Sequence, residues 1–238
     1  MTKHVLSTRL WHWVNTISLI VLFMSGLNIS NAHRYLYWGH SGFDRADAWT
    51  QVVRFPGWMT IPDYYSLAVA RDWHLLFAWP FAFGLLLFMI AALLNGHAKR
   101  DLTTRRNDWK WASIKQDIGA HLKLNFDHGD GKYNFLQRLS YGLVIFIGLP
   151  LMIFTGLAMS PAMDANWPIL VDVFGGRQSA RSIHFIVAFG LFAFFILHIV
   201  MVLLAGPVGQ LRDMILGGKT AGDALSDPSI QTGAGEGS

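Results

Sequence analysis

The sequence predicts an all-α integral membrane protein, a bundle of four transmembrane helices, and three observations support this fold class. Hydrophobic residues make up 53% of the chain and charged residues only 14%, which is too apolar for an ordinary water-soluble domain. Four separate stretches are long and apolar enough to cross a bilayer as helices. Lysine and arginine are concentrated in the segments on one side of these stretches, the distribution expected of a membrane protein.

The predicted spans cover residues 10–29, 73–94, 136–159 and 182–205, and together they form one domain over residues 1–216. The connection from 31 to 71 is rich in large aromatic side chains. It is either a folded cap on the membrane surface or a loop that lies among lipid headgroups. We expect residues 217–238 to form a disordered tail, because this end of the chain is rich in Gly, Ser and Asp.

The connection from 96 to 133 is polar and basic. Trp111, Ile114, Ile118 and Leu122 recur in it at helical spacing, which predicts an interfacial amphipathic helix with anionic membrane lipid as its partner. Thirteen of the 19 lysines and arginines lie in this loop, near the two termini or, for Arg138, at the adjoining start of the third span, and six lie on the opposite side. We therefore predict a multi-pass protein of the bacterial inner membrane with both termini cytoplasmic. Positive charge placed by topology gives no reason to expect nucleic acid.

Four histidines match in pairs by depth. His184 and His198 lie fourteen positions apart in the fourth span, so both face one side of a helix. His74 enters the second span from the same side as His184, and His12 enters the first span from the side that His198 approaches. A four-helix bundle could therefore build two bis-imidazole metal sites, one above the other. The absence of cysteine excludes thiolate ligands. The remaining histidines are interpreted as solvated: His4, His33, His40, His97, His121 and His128.

Three motifs resemble the bacterial di-haem cytochrome b561 superfamily, which includes the membrane cytochrome b subunits of thiosulfate reductase and nickel–iron hydrogenase. They are RLWHW at 9–13, ARDWHLLFAW at 70–79, and FGGRQSARSIHF at 174–185 with the following step to LHIVM. The resemblance covers all four spans and is greatest for cytochromes b encoded beside a periplasmic molybdopterin oxidoreductase. The cytoplasmic loop is long and basic compared with the hydrogenase type, so the identity of the partner is not implied.

The resemblance implies two haem b groups that carry electrons across the membrane between quinone and a periplasmic redox partner, such as a molybdopterin oxidoreductase. Their ligands would be His12, His74, His184 and His198. Each haem brings two propionates, which need cations or hydrogen bonds near the membrane surface. The candidate cations are Arg71 and Arg181 at one pair and Arg9 and Arg138 at the other, although arginines at helix ends also snorkel to the interface without a ligand.

Several features of the sequence leave more than one interpretation open. Asn95 and His97 are candidates for a quinone site, although polar residues are expected at the end of a span. Small residues in the spans could let a porphyrin approach or could serve helix packing, and none is assigned: Gly26, Gly84, Gly142, Gly148, Gly156 and Gly190.

Three other functions were compared with electron transfer to a partner. The protein could be a stand-alone quinone oxidoreductase that uses a small oxidant such as superoxide, a metal transporter, or a membrane anchor. A transporter would normally show carboxylates inside its spans or internally repeated broken helices, and the spans contain essentially no Asp or Glu beyond Asp72 at the edge of one. A homodimer remains open as well.

Overall fold

The computed structural model describes residues 6–94, 109–111, 114–115, 119, 135–204 and 206–217. It contains four helical segments long and apolar enough to cross a membrane: Thr8–Ala32, Leu67–Leu94, Phe135–Ala158 and Arg177–Leu204. The predicted fold class is confirmed. The predicted amphipathic helix lies almost entirely outside the described residues, as do the predicted tail and the quinone candidates Asn95 and His97.

The helical segments extend beyond the predicted spans at several ends. Helix α1 covers Leu6–Ala32 and helix α2 covers Leu67–Leu94. The third span consists of α3 (Phe135–Leu143), a π-helical turn (Val144–Gly148) and α4 (Leu149–Ala158). Two short helices follow, α5 (Pro161–Asn166) and α6 (Ile169–Val173), and then α7 (Arg177–Leu204) and α8 (Pro207–Leu216). Because a helix can continue into the headgroup region, hydropathy locates the apolar part of a span better than its ends.

Pro150 gives a physical reason for the π-helical turn in the third span. A proline inside a helix has no N–H to donate, and its ring collides with the carbonyl four residues earlier. The chain widens just before it, and the Leu149 N–H donates to the Val144 carbonyl, five residues back. At Gly148 a β-carbon would lie 3.1 Å from Cδ2 of Leu191, so α7 packs closely there.

The connection between α1 and α2 is folded, which settles the choice that the sequence left open. Strands β1 (Tyr35–Leu36) and β2 (Thr50–Gln51) pair antiparallel, with Tyr35 opposite Gln51. Short 3₁₀ turns cover Arg45–Asp47 and Gly57–Met59, and Leu36 and Val52 are buried. We call residues 33–66 the cap. The end of the bundle that carries it is the cap end, and the end with the N-terminus and α8 is the terminal end.

The cap is attached to the first turn of α7. The Gly39 carbonyl accepts hydrogen bonds from the backbone N–H groups of Gln178 and Ser179, at 3.0 Å and 3.2 Å. The first N–H groups of a helix have no partner within the helix, so the cap supplies acceptors that α7 lacks. The Trp49 indole N–H also donates to the Ser182 hydroxyl at 3.0 Å. These bonds position the cap directly above the helix that carries His184.

The helices pack in two pairs, α1 along α2 and α4 against α7. The pairs meet at a buried cluster of Phe81, Leu85 and Leu149, against which Trp11 and Leu191 pack. The outer faces of the spans expose large apolar side chains instead of charges. In α2 they include six leucines: Leu75, Leu76, Leu86, Leu87, Leu93 and Leu94. Such an apolar outer surface suits lipid, since hydrocarbon is the solvent around a membrane span.

Candidate metal centre

His74 of α2 and His184 of α7 face each other near the cap end, as the sequence predicted from their depth. Their ring centroids are 6.3 Å apart and their planes are inclined by 56°. Two imidazoles that bind one metal ion from opposite sides, with metal–nitrogen bonds of about 2 Å, have centroids about 6 Å apart. The spacing of the pair therefore matches two ligands of one metal ion.

A hydroxyl group of the neighbouring α1 orients the imidazole of His74. The Ser25 Oγ lies 2.9 Å from His74 Nδ1. The same hydroxyl donates its hydrogen to carbonyls of its own helix, at 2.6 Å to Val21 and 3.1 Å to Leu22. Since a hydroxyl has one hydrogen, the oxygen is an acceptor for Nδ1–H, and the Leu22 carbonyl is a second one. This leaves Nε2 of His74 unprotonated and able to bind a metal.

His184 has the same arrangement with a hydroxyl of α4. Thr155 Oγ1 lies 2.8 Å from His184 Nδ1 and donates its hydrogen to the Leu151 carbonyl at 2.6 Å, with the Met152 carbonyl at 3.3 Å. Thr155 is fully buried, with no exposed surface. A metal-binding histidine commonly donates its second ring N–H to such an acceptor, which fixes its tautomer and orientation. The sequence interpretation did not identify Ser25 or Thr155.

Small residues lie beside both imidazoles. A β-carbon on Gly26 or on Gly156 would lie 3.6 Å from Cε1 of His74 or His184, respectively. Within the part of the chain that the structure describes, no group of three or more His, Cys, Asp or Glu side chains could hold a metal ion. Two protein ligands suit haem, because the porphyrin supplies four further nitrogens to the iron. The facing imidazoles and the glycines beside them therefore fit a haem.

A cluster of basic groups lies at the cap end and consists of His33, Arg71, Arg177 and Arg181. Burial lowers the pKa of His33, and the positive charges of Arg181, Arg71 and Arg177 lower it further. The Nε2 atom of His33 and the Nε atom of Arg177 are buried without a hydrogen-bond partner. The interpretation of His33 as solvated is therefore wrong, because the side chain is half-buried and its Nε2 atom is buried. The positive charge of the three arginines allows this cluster to bind carboxylates.

The histidines at the terminal end have aromatic neighbours. His12 packs edge-on against Trp13 with centroids 5.3 Å apart, and His198 lies nearly parallel to Phe194 at 6.4 Å. The pairing of His12 with His198 stays a prediction.

Arg9 has partners at the C-terminal end of α8. Its guanidinium donates to the Met214 carbonyl at 3.3 Å and to the Ile215 carbonyl. Trp13 also donates to the Met214 carbonyl, at 3.4 Å. These bonds tie α8 to the start of α1. The expected propionate contacts of Arg9 and Arg138 remain predictions.

Comparison with known proteins gives two matches. The family model described as prokaryotic cytochrome b561 matches residues 3–217. A curated protein from Azospira oryzae, named "Putative protein-methionine-sulfoxide reductase subunit YedZ1", is 27% identical over 200 residues. That alignment covers 82% of this chain and 87% of the relative. No solved structure matches.

Proposed function

Because this chain belongs to the prokaryotic cytochrome b561 family, we propose that it carries electrons through two b haems between the quinone pool and a periplasmic redox protein. Membership of the family and the four apolar helices make it a multi-pass, haem-binding electron-transfer protein of the bacterial inner membrane. The observation that carries the proposal is the facing pair His74 and His184, whose Nδ1 atoms are both held by hydroxyl groups.

His74 and His184 would hold one haem at the cap end, and His12 and His198 would hold a second at the terminal end. Haem b held by two imidazoles would have no open coordination position, so it would supply reversible one-electron transfer and no substrate site. The protein's part is to hold the imidazoles in one orientation and to surround the pair with apolar side chains.

The basic cluster would hold the propionates of the cap-end haem. Arg71 and Arg181 were the candidates in the sequence, and the structure adds His33 and Arg177 to them. Arg177 and Arg181 are half-buried, and an anionic ligand would offset the cost of removing these cations from water. The buried, unpartnered nitrogens of His33 and Arg177 support this role.

The excess of positive charge near the termini supports an orientation with the terminal end in the cytoplasm and the cap end in the periplasm. The cap exposes several aromatic side chains: Trp38, Phe43, Trp49 and Trp58. In this orientation the cap is the surface on which a periplasmic partner would dock.

The partner that best fits is a periplasmic reductase that receives electrons from quinol through this chain. The relative from Azospira oryzae is named as a subunit of a protein-methionine-sulfoxide reductase. The resemblance of the motifs to cytochromes that accompany molybdopterin oxidoreductases points to the same class of arrangement. A periplasmic molybdopterin enzyme that reduces an oxidised sulfur compound is therefore our first candidate.

The experiment is reduction by quinol followed by oxidation by the partner. Purified protein in lipid nanodiscs is mixed with a reduced quinone, and the haem absorbance is followed anaerobically. We expect the absorption bands of reduced b haem to appear with quinol and to disappear when the partner and its sulfoxide substrate are added. Bound haem that no quinol reduces would overturn the quinone link, and reduced haem that the partner leaves unchanged would overturn this choice of partner.

A second candidate function is oxidation of the reduced protein by superoxide without a partner protein. The basic cluster favours it, because positive charge near the surface attracts a small anion. If this is the function, oxidation by superoxide will be fast and will slow steeply as ionic strength rises, and the variant Arg181→Gln will reduce the rate. A slow rate that does not depend on salt would exclude it.

A further inference from the structure

The chain contains an internal repeat that includes both histidines of the cap-end pair. Residues 24–30 at the end of α1 read MSGLNIS, and residues 154–160 at the end of the third span read FTGLAMS. Residues 70–78 in α2 read ARDWHLLFA, and residues 180–188 in α7 read ARSIHFIVA. The two spans of the first half of the chain therefore correspond to the two spans of the second half.

The repeated residues make the same contacts in both halves. Ser25 and Thr155 each place their hydroxyl near carbonyls three and four residues earlier in their own helix. The hydroxyl oxygen lies 2.9 Å and 2.8 Å, respectively, from Nδ1 of the facing histidine. In each half the glycine after the hydroxyl residue would place a β-carbon 3.6 Å from Cε1 of that histidine. One local arrangement is thus present twice around one site.

The π-helical turn explains how the second half keeps this arrangement despite an extra residue. Arg9 and Arg138 each precede a leucine at the start of corresponding spans. Ser25 follows Arg9 by 16 positions, whereas Thr155 follows Arg138 by 17. The turn Val144–Gly148 lies in this interval and holds one residue more than an α-helical turn would. It absorbs the extra residue, so Thr155 keeps the orientation that Ser25 has in the first half.

We propose that Ser25 and Thr155 are matched positioning residues of a cap-end haem site that two repeated halves of the chain build together. The inference rests on the proposed function, since the ligands it concerns are those of the cap-end haem. Each hydroxyl accepts the Nδ1–H of its histidine, fixes the ring and keeps Nε2 directed at the iron.

The chemical consequence is a lower reduction potential at the cap-end haem. A hydrogen bond from Nδ1–H to an acceptor raises the basicity of an imidazole ligand, and a more basic ligand favours the oxidised iron. Removing either acceptor therefore raises the potential. Because the halves are equivalent, the two hydroxyls contribute equally.

The test compares Ser25→Ala and Thr155→Ala with the exchanges Ser25→Thr and Thr155→Ser in the full-length protein. The matched control is Ser30→Ala, because Ser30 donates to the Gly26 carbonyl of its own helix at 2.9 Å and belongs to the same repeat. Redox titration gives the potential of the cap-end haem, and electron paramagnetic resonance of the oxidised protein reports the orientation of its imidazoles. The His198→Ala background removes the signal of the other haem.

We expect each alanine variant to raise the reduced-to-oxidised ratio of the cap-end haem at fixed potential by about tenfold, which is about 59 mV for a one-electron couple. The resonance should change with it, and the exchanges and Ser30→Ala should match the parent. The inference would also be supported if each alanine variant lost the cap-end haem while the serine–threonine exchange at the same position kept it. The inference would be overturned if the potential and the resonance did not change, or if only one alanine variant changed them. Loss of the haem from an exchange variant as well as from the alanine variant would also overturn it. If His74→Ala itself loses no haem, the proposed function fails instead.

Discussion

The observed histidine pair at the cap end and the predicted pair at the terminal end differ in how they are built. At the cap end His74 and His184 occupy corresponding positions of the repeat, and each has its own hydroxyl partner. At the terminal end the repeat aligns Tyr141 with His12 and Phe88 with His198. Each half therefore supplies one histidine, and the corresponding position of the other half holds an aromatic residue. Two histidine pairs that are both predicted from matching depth can therefore have different neighbours. We expect two haems with different surroundings and different potentials.

The largest effect should come from removing a ligand at the cap end. His74→Ala or His184→Ala should reduce the bound haem from two per chain to one, because an iron held by porphyrin and a single imidazole has lost half of its protein ligands. The pyridine haemochrome assay counts the haem. The control His40→Ala changes an exposed histidine and should keep both. A variant that retains two haems would remove that histidine from the site.

The next-largest effect should be weaker haem retention after replacement of an arginine at the cap end. Arg181→Gln should weaken retention of the cap-end haem by about tenfold, because a charge-assisted bond to a propionate is lost. Arg45→Gln is the matched control, since Arg45 lies in the cap over the Tyr35 ring instead of in the basic cluster. Haem transfer to apomyoglobin measures the loss rate. Equal rates in both variants would show that Arg181 does not hold the propionate.

At the terminal end the corresponding change should affect stability instead of cofactor. Arg9→Gln removes a cation that donates to the last carbonyls of α8, which costs about 1 kcal/mol. We expect a lower midpoint of thermal unfolding and faster proteolysis between α7 and α8, with haem content unchanged. Loss of one haem in this variant would instead support the propionate contact that the sequence suggested.

The smallest effect is a pH dependence at the cap end. The folded state lowers the pKa of His33 below its usual value of 6.5. Below that pH the unfolded chain binds a proton that the folded chain resists, so stability falls as the pH falls and is constant above it. In the protein freed of haem, where no propionate neutralises the neighbouring arginines, replacing His33 with glutamine should reduce the difference between the unfolding midpoints at about pH 5 and about pH 7.5. An unchanged difference would show that His33 makes no contribution.

The sequence predicted the four spans and the approach of His74 to His184, because hydropathy and helical spacing are local properties. It could not predict that His33 lies near Arg181 or that Arg9 binds α8, since these contacts join residues that are distant in the chain. The roles of Ser25 and Thr155 were available in principle. In each half a serine or threonine precedes Gly-Leu in one span, and Ala-Arg-x-x-His begins the next span. This repeat is seen only when the two halves of the sequence are compared.

The central claim is that this chain binds two b haems, and the most direct measurement is the haem content of the purified protein. A reduced-minus-oxidised absorption spectrum identifies the haem type, and the pyridine haemochrome assay gives the amount per chain. We predict b-type bands and two haems per chain. A folded protein, produced with adequate haem, that binds none would contradict the account, and one haem per chain would contradict the second site at His12 and His198.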